Sequence, residues 1–299
     1  MAQRPVYYGG QAVLEGVMIR GPHSMAVACR RPDGEIVVRG ERLGGVYTSV
    51  VRRIPLVRGM IVMWETLALG MRSLMFSSNV AVGEEAKEIS PGAIWGTVLL
   101  SLGLVAALFF AGPVLLTGWL DDRIGNGTLV VLIEGLIRLA LVVGYVGLIG
   151  LLPDIRRVYA YHGAEHKSIH ALEHGDPLVP DRVQRYSTAH VRCGTSFLLT
   201  VVVVSVLVFA ALGSPEWWWR VLSRIVLIPV IAAISYEVIR LGGAFESSRI
   251  VRVLMWPNLA LQALTTRQPD EGQVEVALRA LGEVLALEGA EAEAPQRPA

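Results

Sequence analysis

Residues 161–175, YHGAEHKSIHALEHG, concentrate the histidines of this chain. Four of its six histidines stand here at intervals of four residues, at His162, His166, His170 and His174. Residues four apart in a helix lie on nearly one face, about 6 Å apart along the axis, so His162 and His166 can bind one metal ion. His170 is about 12 Å along the axis from His162 and is too far away to join them. We expect His170 and His174 to be surface or helix-end residues.

The segment HGAEH has the order H-x-x-E-H, which inverzincin metalloproteases use. Two imidazoles supply nitrogen ligands for zinc, and a catalytic zinc site needs a third protein ligand and one open position. Glu165 lies one residue before His166, about 100° around the helix axis, so its carboxylate can approach the metal-binding face. We expect Glu165 to be the catalytic general base toward the attacking water. The alternative is a chance match on a solvated helix that is rich in titratable groups.

Other segments offer candidates for the third ligand. AHVRCGTSF places His190 three residues before Cys193, where a long apolar segment begins. Cys193 is either a thiolate ligand or a nucleophile whose pKa is lowered by a helix N-terminus, and the alternative is a small buried cysteine. Glu237 lies about one helical turn from the end of another apolar segment. We therefore expect His190, Cys193 or Glu237 to complete the site.

The composition indicates a membrane protein. Hydrophobic residues make up 53% of the 299 residues and charged residues only 18%, which is too apolar for an ordinary soluble domain. The net charge of +1 gives no general polyanion-binding surface, so we expect no nucleic-acid partner. About 20 apolar residues are needed to span a bilayer. We predict four spans, at residues 93–120, 128–152, 194–213 and 221–241.

The charge pattern orients these spans. The segment 153–193 and both ends of the chain are rich in arginine, so the positive-inside rule places them in the cytoplasm. Glu134 and Arg138 are four residues apart in the second span and can pair along one helix. We expect Pro113 and Pro229 to kink their helices, which a membrane bundle tolerates.

The flanking segments have the composition of folded structure. SMAVACRRPDGEIVVRGERL predicts two strands joined around Pro32-Asp33-Gly34. Asp270 is placed to cap a helix that begins EGQVEVALRAL. The predicted organisation, in chain order, is a β-containing cytoplasmic region (1–56), an amphipathic helix and linker (57–90), the first two spans, a cytoplasmic helix and loop (153–193), the last two spans, cytoplasmic helices (242–290) and a disordered tail (291–299).

Five stretches together resemble the bacterial YqhQ-like membrane family, a group of unknown function described as predicted metal-dependent enzymes. They are GGQAVLEGVMIRGP, YHGAEHKSI, HVRCGTSFLL, ISYEVIR and LQALTTRQPDEGQVEVALRAL, and they extend over nearly the whole chain. All the candidate site residues above fall within them. The resemblance implies a bacterial inner-membrane protein with a metal site, and it implies no particular substrate.

The sequence therefore predicts a mainly α, polytopic membrane protein of about four transmembrane helices with a small β-containing N-terminal region. The leading prediction for the function is a metal-dependent enzyme, a zinc hydrolase of peptides at the cytoplasmic face of the bilayer. The main alternative is a membrane scaffold or accessory protein with a structural metal, which a closed site of four ligands would favour. A transporter is the third reading, weakened by the short loops and the lack of a repeated half.

Overall fold

The computed structural model describes residues 8–45, 49–82, 91–124, 126–190, 193–213, 216–245 and 248–293. These residues form a mainly helical structure with a small antiparallel sheet near the N-terminus, as the sequence predicts. The strands are β1 (Gly9–Val13), β2 (Gly16–Arg20), β3 (Ser24–Arg30) and β4 (Ile36–Arg42). The helices are α1 (Val57–Val82), α2 (Pro91–Ala106), α3 (Gly112–Ile124), α4 (Gly127–Ile149), α5 (Pro153–His174), α6 (Pro180–Val183), α7 (Gly194–Leu212), α8 (Trp217–Val226), α9 (Ile228–Ala244), α10 (Arg249–Thr265) and α11 (Glu271–Glu293).

The sheet is a meander in which each strand pairs with the next, in the order β1-β2-β3-β4. The predicted hairpin is confirmed as β3 and β4. Gly34 has φ +95° at its turn, a conformation that glycine adopts without steric cost. The β1–β2 hairpin was not predicted, because its turn contains Glu15 at φ 50° rather than a residue that favours positive φ.

The sheet buries both of its faces. Val17, Ile19 and Ala28 project from one face into a core shared with α5 and α11. The opposite face packs on α1 through Leu69. The helix predicted after Asp270 is confirmed as α11, and Asp270 caps it by accepting a hydrogen bond from the Gln273 N–H at 2.8 Å.

Helix α5 lies at the centre of this sheet-containing part of the protein. Every residue from Gly163 to Ile169 is buried, which contradicts the alternative of a solvated helix. The buried Lys167 ammonium donates to the carbonyls of Gln184 and Tyr186, each at 2.6 Å, and burial lowers the pKa of this lysine. The helix ends at His174 and is capped by Gly175, whose φ of +70° is a conformation that glycine favours.

Two helical segments of the described chain are long and apolar enough to cross a membrane, Trp95–Gly118 and Gly127–Ile149. They coincide with the first two predicted spans. The third predicted span is helix α7, whose apolar part, Phe197–Leu212, is shorter. The fourth is not one helix but two, α8 and α9, interrupted at Leu227.

The two prolines alter their helices in different ways. Before Pro113 the helix widens into a π-helical segment, Ala107–Ala111, and then continues as α3. At Pro229 the helix stops and restarts, because proline lacks the N–H that would continue the ladder and its ring clashes with the preceding turn.

The ion pair predicted inside the second span is present and larger than expected. Glu134 accepts from Arg138 at 2.8 Å, as predicted, and also from two nitrogens of Arg224 at 3.0 and 2.9 Å. Arg224 comes from α8, ninety residues away, and its guanidinium lies 4.1 Å from the centre of the Phe209 ring. The three charges are all buried.

The predicted disordered tail, residues 291–299, differs in part from the structure. Helix α11 continues to Glu293, so residues 291–293 of the predicted disordered tail are helical. Residues 294–299 lie outside the described part of the chain, as do residues 83–90 of the predicted linker.

Candidate metal centre

Helix α5 and the N-terminal end of α7 bring three of the candidate ligands together. One ligand atom from each of His162, His166 and Cys193 lies within 4.8 Å of the other two. The His162 and His166 rings are 4.4 Å apart between centroids, and His162 Nε2 is 3.1 Å from Cys193 Sγ. A nitrogen and a sulfur bound to one tetrahedral zinc ion stand about 3.5 Å apart, which is close to the separation of these two atoms.

Backbone carbonyls orient both imidazoles. His162 Nδ1 lies 2.9 Å from the Thr265 carbonyl and His166 Nδ1 lies 2.5 Å from the Thr188 carbonyl. A carbonyl only accepts hydrogen bonds, so each Nδ1 carries the hydrogen, and the neutral form of each ring has its lone pair on Nε2. His166 Nε2 is buried and has no hydrogen-bond partner. Histidines that bind metals are characteristically held in this way, by a carbonyl on the opposite ring nitrogen.

The Thr265 carbonyl reaches His162 because the chain after α10 crosses closely over α5. A Cβ atom at Gly163 would lie 2.1 Å from the Arg267 carbonyl oxygen, so the crossing requires glycine at this position. The Arg267 N–H donates to the Tyr159 carbonyl at 2.9 Å, which holds the segment after α10 against helix α5. The glycine in HGAEH therefore has a structural role that its place in the motif does not reveal.

The loop before α7 is also held by hydrogen bonds to its backbone. The buried Gln262 side chain accepts from the His190 N–H at 2.9 Å and donates to the His190 carbonyl at 2.8 Å. The carbonyls of Thr188 and Ala189, immediately before, face two histidines of α5. The sequence did not predict these contacts, because the pattern of side chains does not specify the direction of a backbone carbonyl.

Glu165 is buried in α5, three residues after His162 and one before His166. Burial raises the pKa of its carboxyl to about 7, against the opposing effects of His162 and of a hydrogen bond from the Gly10 backbone. Its Oε2 atom is buried without a hydrogen-bond partner. A Cβ atom at Gly10 would lie 3.1 Å from the Glu165 carboxyl carbon, so glycine in the edge strand lets the backbone approach the acid closely.

A cavity of about 360 Å³ adjoins these groups. Its wall is formed by strands β1 and β2, by α1, and by Glu165, His166, His190 and Cys193. Arg20 of β2 also lines the cavity, and its Nε atom is buried without a hydrogen-bond partner. Buried polar atoms are nearly always paired in folded proteins, so unpartnered atoms of Glu165, His166 and Arg20 around one cavity indicate a place for a polar ligand.

Glu237 does not join the three ligands. Its carboxylate pairs with Arg58 at the start of α1 and accepts from the Leu56 N–H at 3.1 Å. Helices α1 and α9 pack side by side, which brings these residues together across 179 positions of sequence. The position of Glu237 near the end of an apolar segment gave no indication of this partner.

His190, His170 and His174 lie outside the group formed by His162, His166 and Cys193. His190 is buried, with its ring centroid 5.7 Å from that of His166, but its Nε2 lies 3.3 Å from Glu173. His170 is partly buried, its Nε2 contacts the Ala189 carbonyl at 2.8 Å, and it does not join His162 and His166, as its distance along the helix predicts. His174 is exposed at the helix end, as predicted.

Comparisons with known proteins agree with the resemblance seen in the sequence. Residues 54–287 match the family described as "Protein of unknown function (DUF1385)". The chain is 36% identical over 312 residues to the "Uncharacterized protein YqhQ" of Bacillus subtilis (strain 168), an alignment that covers 98% of this chain and 96% of that protein. No solved structure matches. The chain belongs to the YqhQ-like family of unknown function, DUF1385.

Proposed function

We propose that this protein is a zinc-dependent hydrolase that cleaves peptides at the cytoplasmic face of a bacterial inner membrane. The observation that carries the proposal is the buried, unpartnered Nε2 atom of His166 beside His162 and Cys193. A buried imidazole nitrogen without a partner costs free energy, about 1–3 kcal/mol, and a metal ion removes that cost.

The donor set fits zinc. Two imidazole nitrogens and one thiolate are ligands that zinc prefers, and His162 and His166 already hold their second nitrogens on carbonyls. Bound there, zinc would supply a Lewis acid that stabilises negative charge on a substrate carbonyl oxygen.

Glu165 is suited to move the proton in such a reaction. It takes a proton from water as the water oxygen bonds to the peptide carbonyl carbon, and returns it to the amine nitrogen as the C–N bond breaks. Its carboxylate adjoins the same cavity as His166 and Cys193 and has one oxygen without a partner. General-base catalysis of this kind accounts for about 10²–10⁴-fold in rate.

The edge of the sheet supports a peptide as the substrate. Strand β1 is an outer strand, and its residues Gly9, Gly10 and Gln11 line the cavity. An extended peptide can add to such an edge through main-chain hydrogen bonds, independently of its side chains. This would place a peptide carbonyl beside Glu165.

The number of ligands favours catalysis over a structural metal. Within the described residues, the group around Cys193 has three members, which leaves one position of a tetrahedral ion for water or substrate. A scaffold with a structural zinc would have four protein ligands. The polar residues Glu134, Arg138 and Arg224 form a closed network, which gives no support to a transport path.

The four predicted spans remain part of this proposal, and the exposure of the first two supports a membrane location. In the most apolar part of Trp95–Gly118, only 11% of the residues are buried, and in that of Gly127–Ile149 the share is 33%. The core helix of a soluble protein, in contrast, is mostly buried. Helix α1 likewise exposes Trp64 and Leu67. Both termini and residue 170 are then cytoplasmic, and reporter fusions that place residue 170 outside the cell would contradict this orientation.

The proposal is tested by metal binding and peptide cleavage on purified protein in detergent. Cobalt in place of zinc should give the near-ultraviolet absorption of a thiolate–cobalt bond, and Cys193→Ser and His166→Ala should each abolish it. The cobalt- or zinc-loaded protein should cleave members of a peptide library, detected by mass spectrometry. Glu237→Gln is the matched control and should keep both properties, because Glu237 binds Arg58 instead. Absence of the thiolate band from the wild-type protein, or its persistence in Cys193→Ser, would overturn the metal site.

A further inference from the structure

A second group of metal-binding side chains lies one turn further along α5. One ligand atom from each of His170, Glu173 and His190 lies within 4.8 Å of the other two. His170 and Glu173 are three residues apart and share a face of the helix, and His190 reaches them from the loop before α7. The group shares no residue with His162, His166 and Cys193.

The geometry within this group resembles that of ligands around an ion. His190 Nε2 and the Glu173 Oε2 atom are 3.3 Å apart, and two ligand atoms about 2.1 Å from a tetrahedral metal stand about 3.4 Å from each other. The His170 and His190 rings are 4.6 Å apart between centroids. His170 Nε2 donates to the Ala189 carbonyl, which leaves the lone pair on Nδ1.

The loop is held in place before any ion binds. The Gln262 side chain accepts from the N–H of His190 and donates to its carbonyl, so the buried core holds the backbone of His190 in place. Glu173, in contrast, is 25% exposed and stands on the solvent side of the group. Two fixed imidazoles and one accessible carboxylate give an ion a route in from solvent.

We propose that His170, Glu173 and His190 bind a second divalent transition-metal ion, separate from the one at Cys193. Two histidines and one carboxylate are a donor set of zinc and of iron(II), and they lack the thiolate of the neighbouring group. His190 also lines the cavity beside Glu165 and His166, whereas His170 and Glu173 are not among the residues that line it. This inference does not depend on the proposed hydrolase activity, because the two ligand sets are different.

The experiment is a titration of the metal-free, purified full-length protein with Zn²⁺ and, in parallel, with Co²⁺. The wild-type protein should bind two equivalents of zinc per chain. Glu173→Gln and His170→Ala should each bind one equivalent and keep the thiolate–cobalt band. Cys193→Ser should bind one equivalent and lack that band. His174→Ala, on the exposed end of the same helix, is the matched control and should still bind two equivalents.

Each other result decides between the two sites. If the wild type binds one equivalent that Cys193→Ser loses and Glu173→Gln keeps, the second site is overturned and the proposed hydrolase centre stands. If it binds one equivalent that only Glu173→Gln and His170→Ala lose, the second site stands and the hydrolase centre is overturned. If it binds no zinc, both are overturned. Glu173→Gln changes a partly exposed side chain, so the result does not depend on whether His170→Ala folds.

Discussion

Two clusters of buried polar side chains lie in different parts of this molecule and are satisfied to different degrees. In the apolar helices, Glu134 accepts hydrogen bonds from both Arg138 and Arg224. Among the described residues, no side-chain atom of these three is buried without a hydrogen-bond partner. Around α5, Glu165 and His166 each keep one buried atom without a partner. Both clusters are deeply buried, so burial alone does not separate them.

The difference indicates different roles. A closed network of charges in an apolar setting holds helices in register, and removing one member leaves the others uncompensated. An open cluster keeps binding capacity for something outside the chain, at a cost in stability. The comparison predicts opposite effects on stability for the same chemical change, glutamate to glutamine, in the two clusters.

The largest expected effect is that of Glu134→Gln. This change removes the negative charge that pairs with the buried guanidinium groups of Arg138 and Arg224, and we expect the free energy of unfolding to fall by about 3–5 kcal/mol. The measurement is denaturant unfolding in detergent, followed by circular dichroism. A fall below about 1 kcal/mol, the scale of an ordinary hydrogen bond, would show that the network does not hold the helices together.

Glu165→Gln should behave differently. The buried carboxylate lacks a full set of partners, so a neutral amide removes an electrostatic cost, and we expect the metal-free protein to be unchanged or up to about 1–2 kcal/mol more stable. The same variant should bind zinc and lose at least about 10²-fold in peptide cleavage. A destabilisation as large as that of Glu134→Gln would place Glu165 among the structural residues.

The smallest effect is expected for Ser205→Ala, at the periphery of the closed cluster. Ser205 Oγ is 3.5 Å from Arg138 Nη1 and donates to the Val202 carbonyl at 2.7 Å. Arg138 retains Glu134 and the Phe109 carbonyl, so we expect a loss of about 0.6 kcal/mol, the average for hydrogen bonds between membrane helices. The same unfolding measurement gives the value, and a loss above 2 kcal/mol would mean that Ser205 is an integral member of the network.

Much of the local structure was predictable because short stretches encode it. Pro32-Asp33-Gly34 between two β-forming runs specified a hairpin, and Asp270 specified the start of α11. The four-residue spacing of His162 and His166 placed both rings on one face of a helix, where the structure has them 4.4 Å apart. Each of these features depends on residues within one or two turns of chain.

The sequence by itself thus determined the helical and apolar segments, the hairpin and the pairing of His162 with His166. Only the tertiary structure decided that Cys193 joins those two histidines while Glu237 pairs with Arg58. The physical reason is that these contacts join residues far apart in the chain, such as His162 and Thr265, 103 positions apart. Their geometry follows from how whole helices pack, and residue spacing within one segment carries no record of that packing.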